Sequence, residues 1–187
     1  KRDWSSDVCS SDLGAANIVT NIGANNALMN VNQSSQRAVI DWASFNVGSQ
    51  AKVQFNQPSS NAVVLNNILG NNASQIYGQI SANGQVFLSN PNGVYFSPTA
   101  QVNVGGLVAT TGKANANDFM AGKVSFSRDG STGSVVNEGS LRSALGGYIA
   151  LLAPEVRNQG VVVAQAGTVV LASGEGITLN FNNGGTG

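Results

Sequence analysis

A glycine followed at the second and fourth positions by apolar residues recurs along this chain at nearly constant intervals. The pattern stands at Gly84–Leu88 (GQVFL), Gly147–Leu151 (GYIAL) and Gly167–Leu171 (GTVVL), with looser versions at Gly105–Ala109 (GGLVA) and Gly122–Phe126 (GKVSF). Successive glycines are 21, 17, 25 and 20 residues apart. A second track, Gly78-x-Ile80, Gly139-x-Leu141 and Gly160-x-Val162, precedes three of them, and its last two glycines are again 21 apart. Such a period is too short for a domain and suits two or three short strands joined by tight turns. One such unit cannot bury its apolar face alone, but units stacked about 4.8 Å apart can. Each inward Val, Ile or Leu then rests on its equivalent in the next coil, while Gly and Asn turn the corners. The spacing predicts an all-β solenoid, roughly eight coils and about 40 Å long.

Composition supports this reading. Apolar residues alternate with others at Val53/Phe55, Val63/Leu65, Val86/Leu88, Ile149/Leu151 and Val169/Leu171, and helical periodicity is nearly absent after Gly14. A β-sandwich would want turn signals every 8–12 residues and no longer repeat. Four prolines, 42% hydrophobic residues and only 10% charged ones are the reverse of a disordered composition. The longest apolar runs, such as Tyr148–Leu152, are far short of the roughly 20 residues of a membrane-spanning helix. Scattered aromatic residues do not form the girdles of an outer-membrane barrel. With no histidine, the chain has no Ser-His-Asp or Cys-His catalysis and no His-ligated zinc. Zero net charge with nine Lys and Arg argues against a nucleic-acid partner. A single Cys9 excludes an internal disulfide framework.

Residues 1–13 (KRDWSSDVCSSDL) hold five of the eighteen charges and the only cysteine, without the apolar core of a signal peptide. They read as a non-native cloning or sequence-assembly scar or a disordered head. Residues 14–187 then form one β-helical domain, with an N-terminal β cap over about 14–50 and an open C-terminal end. Exposed strand edges at the ends of a solenoid invite aggregation and call for a cap. The Gly/Asn tail NNGGTG offers none, which reads as a fragment of something longer.

Several blocks in Met29–Thr111 carry a resemblance: Gln36–Trp42 (QRAVIDW), Phe45–Gly48 (FNVG), Phe55–Pro58 (FNQP), Leu65–Gly70, Ser74–Gly78, and above all Gly84–Gly106 with Asn90-Pro91-Asn92-Gly93. In this order they resemble the N-terminal secretion domain of two-partner-secretion exoproteins, the haemagglutination-activity domain family of filamentous-haemagglutinin-like and high-molecular-weight adhesins. The resemblance implies a right-handed parallel β-helix and a non-enzymatic secretion and folding-nucleation module. It implies recognition in the periplasm by an outer-membrane transporter barrel with periplasmic POTRA domains, passage in an unfolded state, and folding at the surface of a Gram-negative cell. The chain is then a monomer without cofactor or metal, and host-cell surfaces or glycans are reached through the full-length exoprotein. The family's Asn-Pro-x-Gly motif maps to Asn90, Pro91, Asn92 and Gly93 as the secretion determinant. A second motif of some relatives, NPNL, is absent, and Asn66 and Asn67 lie in its neighbourhood without matching it.

Each motif also has a plainer reading. Asn90–Gly93 is locally a β-turn in which Pro91 presets φ and Asn92-Gly93 supplies left-handed conformers. Because β-helices also host polysaccharide chemistry, clustered carboxylates would signal an enzyme. By spacing, Glu155 and Glu175 could stack, as could Arg142 and Arg157 less convincingly, but isolated surface charges explain Asp118, Glu138, Glu155 and Glu175 better. A glycan-binding adhesin module is the other alternative. Asn32 and Asn72 match the N-x-Ser acceptor pattern, expected by chance among so many asparagines. Asp41-Trp42 reads as an aromatic packed near the cap, and Asn137 with Asn158 as a stacked amide ladder.

Overall fold

The computed structural model describes residues 7–181. Within it the chain winds into a parallel β-solenoid of about seven turns with ~22-residue spacing. The first coil holds β3 (Ala27–Gln33) and β4 (Arg37–Ser44), after β1 (Asp7–Leu13) and β2 (Ala16–Ile22). Next come β5 (Ala51–Asn56), β6 (Val63–Ile68) and β7 (Ser74–Ile76), then β8 (Gln79–Ala82), β9 (Gln85–Ser89) and β10 (Val94–Phe96). Then β11 (Gln101–Val104) and β12 (Gly106–Thr110) lead to an excursion of β13 (Lys113–Ala114), α1 (Ala116–Met120) and β14 (Val124–Ser127). The coils resume with β15 (Ser134–Asn137), β16 (Ser140–Ser143), β17 (Tyr148–Leu152), β18 (Glu155–Asn158), β19 (Val161–Ala164) and β20 (Thr168–Ala172), and β21 (Gly176–Leu179) returns to the excursion.

Three walls result. One runs β4-β6-β9-β12-β17-β20, a second β3-β5-β8-β11-β16-β19 and a third β7-β10-β15-β18, all parallel. In register, Ala38, Val64, Val86, Leu107, Ile149 and Val169 form one column up the first wall. Val64, Val86, Leu107 and Ile149 are wholly buried, whereas Val169 is 45% exposed because no coil covers it among the described residues. Inward stacking therefore holds through the rod and lapses only at its last turn.

The two ends differ. Antiparallel β1 and β2 cover the outer edges of β4 and β3, so the first coil does not expose them to further strand pairing. Residues 27–44, which sequence spacing left inside the irregular cap, already pair in parallel with the second coil. At the other end β18, β19 and β20 are the last strands of their walls.

The structure corrects the count of coils. Gly122–Phe126 is not a turn of the solenoid but the passage from the end of α1 into β14, which pairs antiparallel with β13 and β21. Gly122, at φ +91°, ends α1 in the left-handed region, so its glycine serves the helix terminus and not a coil corner. The register step from Leu107 to Ile149 is accordingly 42 residues, twice the usual pitch. The excursion covers the first wall: Phe119, Val124 and Phe126 pack on the outward Val39, Leu65, Phe87, Val108 and Ala150. From β6 to β17 that wall is buried on both faces, which is why its strands read as unbroken apolar runs such as Ile149–Leu152.

Candidate functional site: the Asn90–Gly93 corner

The candidate motif links the end of β9 to β10 and carries the chain from the first wall to the third. Asn90 at the first position, Pro91 at the second and Gly93 at the fourth match the preferences of a type I turn, and Gly93 N–H donates to Asn90 O at 3.0 Å. Only Gly93 takes a positive φ, +119°; Asn92 does not, contrary to the expectation that both would. A Cβ on Gly93 would stand 2.9 Å from Ser134 O, so the neighbouring coil as well as the turn demands glycine.

Asn90 is wholly buried, and its amide is spent inside the fold. Its Nδ2 donates to Asn72 O and Ser74 Oγ, both at 3.0 Å, and its Oδ1 accepts from Asn92 N–H at 3.0 Å and Asn92 Nδ2 at 3.2 Å. Asn92 is exposed and also donates from Nδ2 to Gly70 O at 2.7 Å. From the later side, Asn90 N–H donates to Thr110 O at 2.9 Å and Ser131 Oγ donates to Pro91 O at 2.6 Å. The corner is thus fastened to the coil below at Gly70–Ser74 and to the chain above at Thr110 and Ser131. Only Pro91, half-buried, and Asn92 present side chains to solvent.

Asn66 and Asn67 on β6 have separate duties. Asn67 is the register partner of Ser89, so it lies beside the approach to the motif, and its Nδ2 donates to Asp41 Oδ1 at 2.9 Å. Asn66 points inward in the column Ile40–Asn66–Leu88 and is wholly buried. Its Oδ1 accepts from Trp42 Nε1 at 3.0 Å and its Nδ2 donates to Phe87 O at 3.1 Å, so both halves of the amide are paired. Trp42 itself is wholly buried, edge-on to Phe45 at 5.1 Å, as a packed aromatic. Spacing alone could not reveal the Trp42–Asn66 pair, whose members are 24 residues apart and come together only through coil register.

The carboxylates do not converge. Glu155 begins β18 opposite Ser134 and bonds Arg157 at 3.1 Å, while Glu175 bonds Arg128 at 2.6 Å beside the excursion. Their 20-residue spacing therefore does not stack them, because the chain leaves the third wall and crosses to the excursion in between. Arg142 and Arg157 likewise sit on different walls. Glu138 accepts a hydrogen bond from the Tyr95 hydroxyl, which holds that phenol above its usual pKa. Asn137 and Asn158 do stack, with Nδ2 to Oδ1 at 2.9 Å and direct register. Asn32 and Asn72 are both exposed; Asn32 accepts from Asn56, and Asn72 supports the corner through its backbone carbonyl.

The sequence profile of the TPS secretion domain matches residues 8–186. The chain belongs to the TPS secretion domain family. It is 36% identical over 181 residues to a heme/hemopexin-binding protein of Haemophilus influenzae, covering 91% of this chain and 19% of that protein. A second Haemophilus influenzae protein of the same name is 42% identical over 111 residues, covering 59% of this chain and 12% of the relative. The crystal structure of the HMW1 secretion domain from Haemophilus influenzae superposes with a TM-score of 0.80 at 28% identity, covering 93% of this chain and 45% of that one. The chain thus spans less than a fifth of the curated relatives it matches. The TPS family is one of secretion domains, not of enzymes.

Proposed function

We propose that this TPS domain is read in the periplasm by the POTRA domains of a cognate outer-membrane barrel and carries a longer exoprotein to the cell surface, with Asn90, Pro91, Asn92 and Gly93 as the determinant. The supporting observation is how the corner is built. Asn90 gives all its polar atoms to the folded coil, so its amide is free for a partner only before the coil closes. Reading by the transporter and closing of the coil compete for the same atoms. Folding outside the cell then removes the docking groups and favours release. Before folding, an extended segment around β9 and β10 can add as a strand to a sheet edge of the partner. For the exoprotein as a whole, the name of the relatives makes heme and hemopexin the ligands to test.

The deciding experiment is a pull-down on the immobilised periplasmic part of the cognate transporter, with the chain either folded beforehand or diluted from urea. Capture of the urea-diluted chain, and weaker capture of the folded one, is expected. Equal capture of both would refute the competition, and capture of neither would refute the reading.

A further inference from the structure

Between the first wall and the excursion lies an open groove of about 670 Å³, lined in part by Gln85 and Phe87 of β9 but by none of Asn90–Gly93. Arg37, at the start of β4, reaches into it. Its Nη1 donates to Phe119 O at 3.0 Å, and its guanidinium lies 5.3 Å from the centre of the Phe119 ring. Among the described residues the ion pairs are Lys113–Asp129, Arg128–Glu175 and Arg157–Glu155, and Arg37 belongs to none. Among the described residues no carboxylate lines the groove; the other polar side chains there are the amides of Asn61, Gln85 and Asn180. A half-buried guanidinium among neutral amides favours an anion with planar, two-oxygen geometry.

An aromatic wall completes the groove. Phe181 lies 4.7 Å from the Tyr148 ring, with 36° between planes, and remains 42% exposed. Tyr148 is held by packing and by its hydroxyl, which donates to Gln85 Oε1. Its ring lies across Gly106, where a Cβ would come within 2.8 Å of it, so this glycine makes room for the wall. Gly122 leaves the other side open, since even a Cβ there would stay 3.7 Å from Arg37 Nη2.

We infer that this groove binds a hexuronate, a pyranose ring carrying a carboxylate, with the carboxylate on Arg37, the ring on Phe181 and the hydroxyls on Asn61, Gln85 and Asn180. The volume falls in the ordinary range of small-ligand sites, about 300–1,000 Å³. Aromatic face, neutral amides and a guanidinium outside the ion pairs of the described residues together fit a sugar acid better than a phosphate, which would leave the aromatic wall unused.

The test is NMR titration of the folded 187-residue chain with sodium glucuronate, glucose and sodium benzoate. Saturable shifts at the groove with glucuronate, at least tenfold tighter than with glucose or benzoate, are expected. Arg37→Gln should weaken glucuronate at least tenfold. Should that variant fail to fold, Asn61→Ala combined with Asn180→Ala removes two exposed amides and should weaken binding about fivefold, with the circular-dichroism spectrum unchanged. Absence of saturation, or glucose binding as tightly as glucuronate, overturns the inference. So does benzoate binding equally well, or folded variants that bind undiminished.

Discussion

Asn90→Ala and Asn92→Ala separate a motif that only turns the chain from one that is also read by a partner. Truncating Asn90 strands Ser74 Oγ and Asn72 O below and Asn92 N–H within the turn. Ser74 is 2% exposed and cannot turn to solvent. At about 1–3 kcal/mol for each buried polar group left unpaired, with Asn72 and Asn92 partly rescued by water, the loss comes to about 2–4 kcal/mol. That is large against a typical total of about 5–15 kcal/mol, yet leaves the domain folded. Asn92 is exposed, and its truncation removes chiefly the bond to Gly70 O, worth about 0.5–1 kcal/mol. If the motif served only the turn, secretion should track stability: impaired for Asn90→Ala and near normal for Asn92→Ala. Reading of the Asn92 side chain by the transporter instead requires Asn92→Ala to lose secretion several-fold at nearly unchanged stability. Urea unfolding of the purified chains gives the stability axis. Immunoblots of medium from cells expressing chain and transporter give the other. Normal secretion of Asn92→Ala would refute recognition through this side chain, and equal urea midpoints for the two variants would refute the hydrogen-bond accounting.

Ile149→Ala, in the buried column, should cost about 2–5 kcal/mol, while Val169→Ala one coil later should cost under about 1 kcal/mol, measured by urea midpoint. Asn66→Leu puts an apolar residue at an inward position and should still destabilise, by about 1–3 kcal/mol, because Trp42 Nε1 and Phe87 O lose their partner; thermal melting checks the sign. Burial pushes the Tyr148 phenol well above its ordinary pKa, against a weaker opposing pull from Arg37. The folded state therefore resists its ionisation: its contribution is intact below about pH 10 and falls as pH rises beyond, by at most about 1.4 kcal/mol per unit. Tyr148→Phe should flatten that alkaline decline relative to the parent in melts from pH 9 to 11.

Parallel coils were legible because one rule repeats: Val86, Leu107 and Ile149 are inward in the structure as the Gly-x-apolar-x-apolar pattern requires. The pattern misled at Gly122–Phe126, since a glycine ending a helix and an amphipathic strand reproduce the same spacing by local means. Carboxylate stacking failed for a related reason. Equal sequence intervals mean equal height only while the chain stays on the walls, and Glu175 lies where it has left them. The four residues of the corner were identifiable, yet not the burial of Asn90 or the bonds to Asn72 and Ser74, which depend on register between coils. The same limit hid Trp42–Asn66 and the groove at Arg37, whose walls come from opposite ends of the chain.

These limits share a cause that bears on how such a domain works. In a solenoid almost every contact joins positions one coil apart, so each turn is stabilised by a neighbouring coil already in place. Here the coil below supplies Asn72 and Ser74 to the Asn90 corner, and the coil above closes it through Thr110. A chain emerging with its N-terminal side first would meet those partners in the right order, each coil fixing only its own residues. Antiparallel β1 and β2 close the first edges of two walls, so on that side the described strands leave those walls no edge for parallel pairing.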